Sequence, residues 1–96
     1  MIRYQPKPKH WKSKRYLQWI ARKESCLTGS SPCIPHHHRH GSDGGTGIKP
    51  SDVWAIPVTH EQHNLIHVGK IKLDNDWVRA LCMAYLTEYL AENNVK

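Results

Sequence analysis

The sequence predicts a small α+β domain. Three observations lead to this fold class: an N-terminal segment with apolar residues at helical spacing, a short β-prone run in the middle, and two later helical patterns with N-terminal capping residues. With 96 residues, the chain has room for one domain, residues 1–96, with a small hydrophobic core. Domains of this size are often stabilised by a metal ion or a partner, so any cluster of metal-ligating residues bears directly on the fold.

Composition limits the compartment and the class of protein. No apolar run approaches the roughly 20 residues that span a bilayer, and the basic N-terminus lacks the apolar stretch of a secretory signal. An odd number of cysteines fits reduced thiols better than a disulfide framework; they are Cys26, Cys33 and Cys82. We therefore expect a cytoplasmic protein with no membrane partner.

The N-terminal quarter, residues 1–25, carries much of the positive charge. Lys and Arg total 14 against 8 Asp and Glu, a formal net charge of +6. The proline-containing residues 1–10 predict an extended arm, and "WKSKRYLQWIARK", residues 11–23, predicts a helix with one apolar side. Basic residues interleaved with aromatics are typical of polyanion binding, although a solvated basic face is the alternative. The candidate nucleic-acid contacts here are Lys12, Lys14 and Arg15.

The middle of the chain is predicted to contain turns, a loop and a strand. Residues 26–35 are rich in Gly, Ser and Pro, which favours turns. Four glycines between residues 41 and 47 indicate an irregular loop. The run "DVWAIPV", residues 52–58, predicts a short strand with Pro57 near its end, where a missing amide donor does little harm.

A helix is predicted to begin at about residue 60. Thr59 followed three residues later by Gln62 is a capping-box pattern. On this helix His63 and His67 are four residues apart and share a face. Gly69 is expected to end the helix.

The last predicted element is a long amphipathic helix over about residues 74–94. Asp74, Asn75 and Asp76 are each suitable N-terminal caps. The apolar residues that follow recur at helical spacing. No internal repeat or second domain is evident.

Seven of the eight histidines form two groups. One helical pair, spaced i, i+4, can direct two imidazoles at one cation, as in other helical metal motifs. A third imidazole from the upstream group would complete a three-nitrogen site with open positions. The upstream group is internal and interrupted by Arg39, which argues against a purification-tag remnant. The groups are His36, His37, His38 and His40, and His60, His63 and His67.

These motifs together resemble the His-Me finger, or HNH, nucleases, whose ββα-metal fold is a β-hairpin followed by a helix. The matching segments are "PHH" (residues 35–37), "GGTGIKPSD" (residues 44–52) and "PVTHEQHNLIH" (residues 57–67). The match is ungapped over residues 35–67 and is most similar to small phage-borne members related to the phage recombination-enhancement nuclease. The resemblance implies a finger core over about residues 26–68, flanked by a basic N-terminal helix and the C-terminal helix.

The resemblance also implies roles for individual residues. His36, His63 and His67 would bind one divalent metal ion, and His37 would be the general base that activates water. Mg²⁺ or Mn²⁺ would serve in catalysis, and Zn²⁺ or Ni²⁺ could accompany the purified protein. An imidazole is well suited to take a proton from water near neutral pH.

Two departures from the family pattern leave alternatives open. Because the histidine run is a triple, His37 and His38 could be the working pair instead of His36 and His37, although only the latter register matches the glycine loop without a gap. Many relatives also place an asparagine where this chain has Trp54. Asp52 is then the nearest polar candidate to orient the base.

The cysteines mark a third departure. Zinc-ribbon relatives carry two C-x-x-C pairs, but Cys26 and Cys33 are seven positions apart and the second pair is replaced by Thr59 and Gln62. The two cysteines could simply pack as small apolar residues. They could also join a structural zinc site with a spare histidine; the candidates are His38, His40 and His60.

The leading hypothesis from sequence is a DNA endonuclease that leaves 5′-phosphate and 3′-hydroxyl ends, acting in phage or prophage DNA processing or recombination. Arg39 and Lys49 flank the candidate site and could contact phosphates, or remain solvated. Expected partners are DNA, a second copy of the chain, and phage or host recombination proteins; the compartment would be the host cytoplasm if the gene is phage-borne. The alternatives are a non-catalytic zinc-stabilised nucleic-acid-binding module and a small basic protein with surface histidines.

Overall fold

The computed structural model describes residues 10–39 and 50–93 and confirms an α+β fold. Predictions that concern His40, Lys49, the glycine loop and the N-terminal arm before residue 10 lie outside the described residues. A single 3₁₀ turn, Asp52–Trp54, lies between the two strands. The other elements, in chain order, are α1 (Lys14–Ala21), β1 (Ile34–His37), β2 (Ala55–Val58), α2 (His60–His67) and α3 (Asn75–Glu92).

The two strands form an antiparallel pair, and α2 follows directly. Ile34 lies opposite Val58, and His37 lies opposite Ala55. Beyond the strand end, the His38 N–H donates to the Trp54 carbonyl at 3.0 Å. All four residues of β2 are buried, so this strand forms the centre of the domain. The neighbouring strand, β1, contains His36 and His37.

Two predicted elements begin too early. The first helix begins at Lys14, because Ser13 is its N-cap and accepts the Tyr16 N–H through its side chain. Residues 11–13 are held instead by the 51–52 segment: the Trp11 N–H donates to Ser51 Oγ, and the Trp11 carbonyl accepts the Asp52 N–H. The predicted strand over residues 52–58 is likewise shorter, because its first three residues form the 3₁₀ turn.

The predicted start and end signals of the later helices are confirmed. The Gln62 N–H donates to Thr59 Oγ1, and the Thr59 N–H donates to Gln62 Oε1, which completes the capping box of α2. Gly69 follows the helix with a φ of +80°, a left-handed conformation that glycine adopts without strain. Of the three candidates for the cap of α3, Asp74 serves: its Oδ2 accepts the Trp77 N–H at 2.9 Å.

The hydrophobic core lies where α3 crosses the hairpin. Ile56, Val58 and Val78 are fully buried, and Cys82 is nearly so. A second, aromatic layer joins α1 to α3, with Tyr16 packed edge-on against Tyr89 and stacked on Trp19. The long C-terminal helix therefore fixes both the hairpin and the first helix. Within the described residues, no helix has the length and apolar character of a membrane span.

Candidate functional site

Three histidines meet between β1 and α2. His36 is supplied by the strand, and His63 and His67 lie one helical turn apart on α2. One nitrogen from each ring can be chosen so that all three atoms lie within 4.8 Å of one another. Among residues 10–39 and 50–93, no other group of three or more His, Cys, Asp or Glu side chains comes together in this way. We call these three residues the histidine triad.

The histidine triad fits a divalent metal ion. The Nδ1 atoms of His36 and His63 are 3.0 Å apart, a separation compatible with two ligands that each lie about 2.0–2.1 Å from one cation. His36 is buried, and burial, followed by the nearby His63, lowers its pKa to about 4. Burial also lowers the pKa of His63. Both rings are therefore held in the neutral form that binds metal, while the exposed His67 leaves one side of the group open.

His37 contacts a buried carboxylate instead of the triad. Its Nε2 lies 2.9 Å from Oδ1 of Asp52. Because a carboxylate only accepts hydrogen bonds, Nε2 carries the proton and the lone pair lies on Nδ1. The other carboxylate oxygen, Oδ2, accepts the Ser13 N–H at 2.6 Å, and Asp52 is only 4% exposed. Asp52 is thus fixed from one side by the start of α1 and orients His37 from the other.

The third consecutive histidine has a third partner. His38 is buried, and its Nε2–H donates to Oδ1 of Asn75 at the start of α3, at 2.8 Å. The structure therefore brings His36, rather than His37 or His38, to the two histidines of α2. This is the arrangement that the His36/His37 register requires.

A cleft of about 990 Å³ opens beside the histidine triad. It is bounded by the end of β1, the end of α2, the segment 72–74 and the first turn of α3. Arg39 and Lys72 bring positive charge to this cleft, and Asp74 and Asp76 bring negative charge. His36 and His67 of the triad both line this cleft.

The predicted nucleic-acid contacts fall in different places. Arg39 lines the cleft. The residues of the basic N-terminal group are exposed but do not line it; Lys14 and Arg15 are on α1 and Lys12 precedes that helix. The basic N-terminal residues therefore form a separate exposed surface.

The predicted mixed cysteine–histidine zinc site does not assemble among the described residues. Neither Cys26 nor Cys33 joins a group of three ligands, whether with His38 or with His60. Burial raises the pKa of Cys26 to about 11, which favours the thiol over the thiolate that binds zinc. The Cys33 thiol donates to the Ser30 carbonyl.

Side-chain hydrogen bonds form at Thr59 and Gln62, the positions where zinc-ribbon HNH proteins have their second cysteine pair. Gln62 is buried and accepts the Ser25 hydroxyl through Oε1, at 2.6 Å. Its Nε2 donates to Thr28 Oγ1, at 2.8 Å. Because the same amide also binds Thr59, it joins the 25–28 turn to the start of α2 without a metal.

Three groups at the candidate site were not predicted from the sequence: the Ser13 amide, Asn75 and Lys72. The Ser13 amide binds a residue 39 positions away, and Asn75 binds one 37 positions away. No local pattern encodes such pairs. Lys72 looks like any surface lysine until the cleft is seen.

One prediction concerns metal binding directly. His63→Ala is expected to weaken Zn²⁺ or Mn²⁺ binding by more than about 100-fold, because it removes a ligand, and even outer-shell partners of metal ligands contribute 10–100-fold. His60→Ala is the matched control, since His60 is an exposed histidine on the same helix outside the triad. Isothermal titration of EDTA-treated protein measures both. Equal affinities for the two variants would rule out the triad as the metal site.

Comparison with known proteins identifies relatives. The chain is 25% identical over 72 residues to "Uncharacterized protein YdfU" of Escherichia coli (strain K12), a match that covers 75% of this chain. The chain spans only 21% of the length of that relative. No solved structure gives a significant match. The family described as "Protein of unknown function (DUF968)" matches residues 1–89, and the chain therefore belongs to this family.

Proposed function

We propose that this domain is a metal-dependent endonuclease that hydrolyses DNA phosphodiester bonds. One observation carries the proposal: two adjacent histidines of β1 have separate partners at the edge of one cleft. His36 belongs to the histidine triad, and His37 is held by the buried Asp52. A metal-ligating group beside an oriented imidazole is the minimal machinery for phosphodiester hydrolysis.

His37 supplies the base. Its Nδ1 carries the lone pair and takes a proton from water as the water oxygen attacks phosphorus in line with the bond to the 3′ oxygen. That bond breaks with its electron pair on the 3′ oxygen, which takes a proton from solvent, and the products are a 5′-phosphate and a 3′-hydroxyl. The Asp52 carboxylate, 2.9 Å from Nε2, keeps the ring in this tautomer and stabilises the imidazolium that forms.

The histidine triad would hold the metal ion. When bound, a divalent cation neutralises charge on the scissile phosphate and on the departing 3′ oxygen. Neutral imidazoles accept Zn²⁺, Ni²⁺ and Mn²⁺. Three protein ligands would leave coordination positions for substrate oxygens. His36 and His67 both line the cleft, and His67 is exposed.

Charge supports DNA as the substrate. The formal net charge of +6 and the exposed basic surface at the start of α1 favour a polyanion. The resemblance of residues 35–67 to HNH nucleases supports the same substrate and a role in phage or prophage DNA processing or recombination.

Plasmid cleavage tests the proposal. Supercoiled plasmid is incubated with Mg²⁺ or Mn²⁺ and the wild-type protein, with His37→Ala or with His60→Ala. We expect nicking by the wild type and by His60→Ala, and a nicking rate about 10²–10⁴-fold lower for His37→Ala. In EDTA we expect no nicking by any of the three proteins. Equal nicking by the wild type and His37→Ala would contradict the proposal. Stoichiometric zinc binding without any wild-type cleavage would instead indicate a non-catalytic zinc-stabilised nucleic-acid-binding module.

A further inference from the structure

The cleft carries a lysine that the proposed mechanism does not use. Lys72 lines the cleft with Arg39 and His67. Within residues 10–39 and 50–93 it makes no ion pair, although two carboxylates line the same cleft. Its charge is therefore available to a ligand that enters the cleft.

The backbone on both sides of Lys72 is fixed. The N–H groups of Lys70 and Ile71 donate to the Leu65 carbonyl on α2, at 2.9 and 3.2 Å. On the other side, Leu73 packs against the hydrophobic core. Binding a ligand then orders little more than the lysine side chain, which limits the entropic cost.

The basic residues at the start of α1 do not line the cleft. His37 lines the cleft, Asp52 lies behind its Nε2, and the Ser13 amide lies behind Asp52. The cations next to Ser13 are thus separated from the cleft by the His37–Asp52 pair. Among the described residues, the cations that line the cleft are Arg39 and Lys72.

We infer that Lys72 binds a backbone phosphate of the DNA strand in the cleft, beside the scissile phosphate. The inference rests on the proposed nuclease function. An ammonium group is a compact charge suited to a phosphate oxygen. Asp74 and Asp76 also line the cleft and repel phosphates, so a strand that enters it needs a cation such as Lys72 to offset this repulsion.

Lys70 provides a matched control. It is exposed and lies on the same connection between α2 and α3, yet does not line the cleft. Lys70→Ala removes the same charge as Lys72→Ala. Lys72→Arg keeps the charge and serves as the rescue variant.

Fluorescence anisotropy tests the inference without cleavage. It measures binding to a short fluorescein-labelled DNA duplex, in EDTA, at a series of KCl concentrations. For Lys72→Ala we expect a several-fold higher Kd. The slope of log Kd against log[KCl] should be smaller in magnitude by about 0.9, the value for one phosphate contact. Lys70→Ala and Lys72→Arg are expected to keep the wild-type slope. The same slope in all variants, or an equal change in Lys70→Ala and Lys72→Ala, would overturn the inference.

Steady-state cleavage separates this inference from the proposed function. We expect Lys72→Ala to raise KM and keep kcat near the wild-type value, because the contact forms before the chemical step. If the wild type cleaves and Lys72→Ala matches Lys70→Ala in slope and KM, the inference is wrong and the nuclease proposal stands. If the wild type binds with the expected slopes but never cleaves, the nuclease proposal is wrong and the phosphate contact stands. If the wild type does not bind DNA, both are wrong.

Discussion

Asp52→Asn is expected to lower kcat for the proposed DNA cleavage by about 10²–10⁴-fold, nearly as much as removal of the proposed base, His37. The asparagine oxygen can still accept the Ser13 N–H, which leaves its NH₂ group facing Nε2 of His37. Because NH₂ only donates, Nε2 must become the acceptor and the ring proton moves to Nδ1. The ring then has no lone pair on the side where the base must act.

The control for this variant is Asp76→Asn. It removes the same charge from a residue that lines the cleft but makes no described contact with His37. Single-turnover cleavage and metal titration are measured for both variants. We expect Asp52→Asn to keep its metal affinity, since Asp52 is not in the histidine triad. Wild-type cleavage by Asp52→Asn, or an equal loss in Asp76→Asn, would show that the carboxylate does not orient the base.

The parts of the fold that were predictable from sequence obey local rules. The capping box of α2, the glycine that ends it and the shared face of His63 and His67 each depend on residues within one or two helical turns. Such patterns act through backbone hydrogen bonds of neighbouring residues. They are therefore encoded in short stretches of sequence.

The early boundaries that proved wrong depend on distant contacts. Residues 11–13 carry helix-compatible side chains, but their backbone groups bind Ser51 and Asp52 about 40 positions away. The same contacts bend residues 52–54 into a 3₁₀ turn at the place where β propensity predicts a strand. Tertiary contacts here outweigh weak local preferences.

The histidine triple shows why part of the site could not be predicted. Alternation over the last two residues of β1 and His38, which follows the strand, predicts His36 and His38 on one side and His37 on the other, and the deeper burial of His36 and His38 agrees. On the first side, α2 meets His36 and the start of α3 meets His38. Three identical side chains acquire different surroundings because three different elements pack against them. The sequence therefore shows that three histidines are present, but it does not show which element packs against each of them.

Acid is expected to destabilise the metal-free protein between about pH 6.5 and pH 4 through His36. Burial lowers the pKa of His36 from its ordinary 6.5 to about 4, so the unfolded chain binds a proton in this interval that the folded chain does not. The contribution of His36 is complete above pH 6.5, falls as the pH drops, and is lost at about pH 4. Over this interval, proton binding by His36 in the unfolded chain lowers the free energy of unfolding by on the order of 3 kcal/mol. The lowered pKa of His63 acts in the same direction.

Urea unfolding in EDTA at a series of pH values measures this effect, and comparison of variants separates it from the titration of carboxylates. His36→Gln removes the group, so its free energy of unfolding should vary less steeply over the interval than that of the wild type. His60→Ala, which removes an exposed histidine, should keep the wild-type slope. Equal slopes for His36→Gln and the wild type would contradict the assigned role of the buried ring. Added Zn²⁺ should stabilise the protein near neutral pH and lose this effect in acid, because protons and metal compete for the same nitrogens.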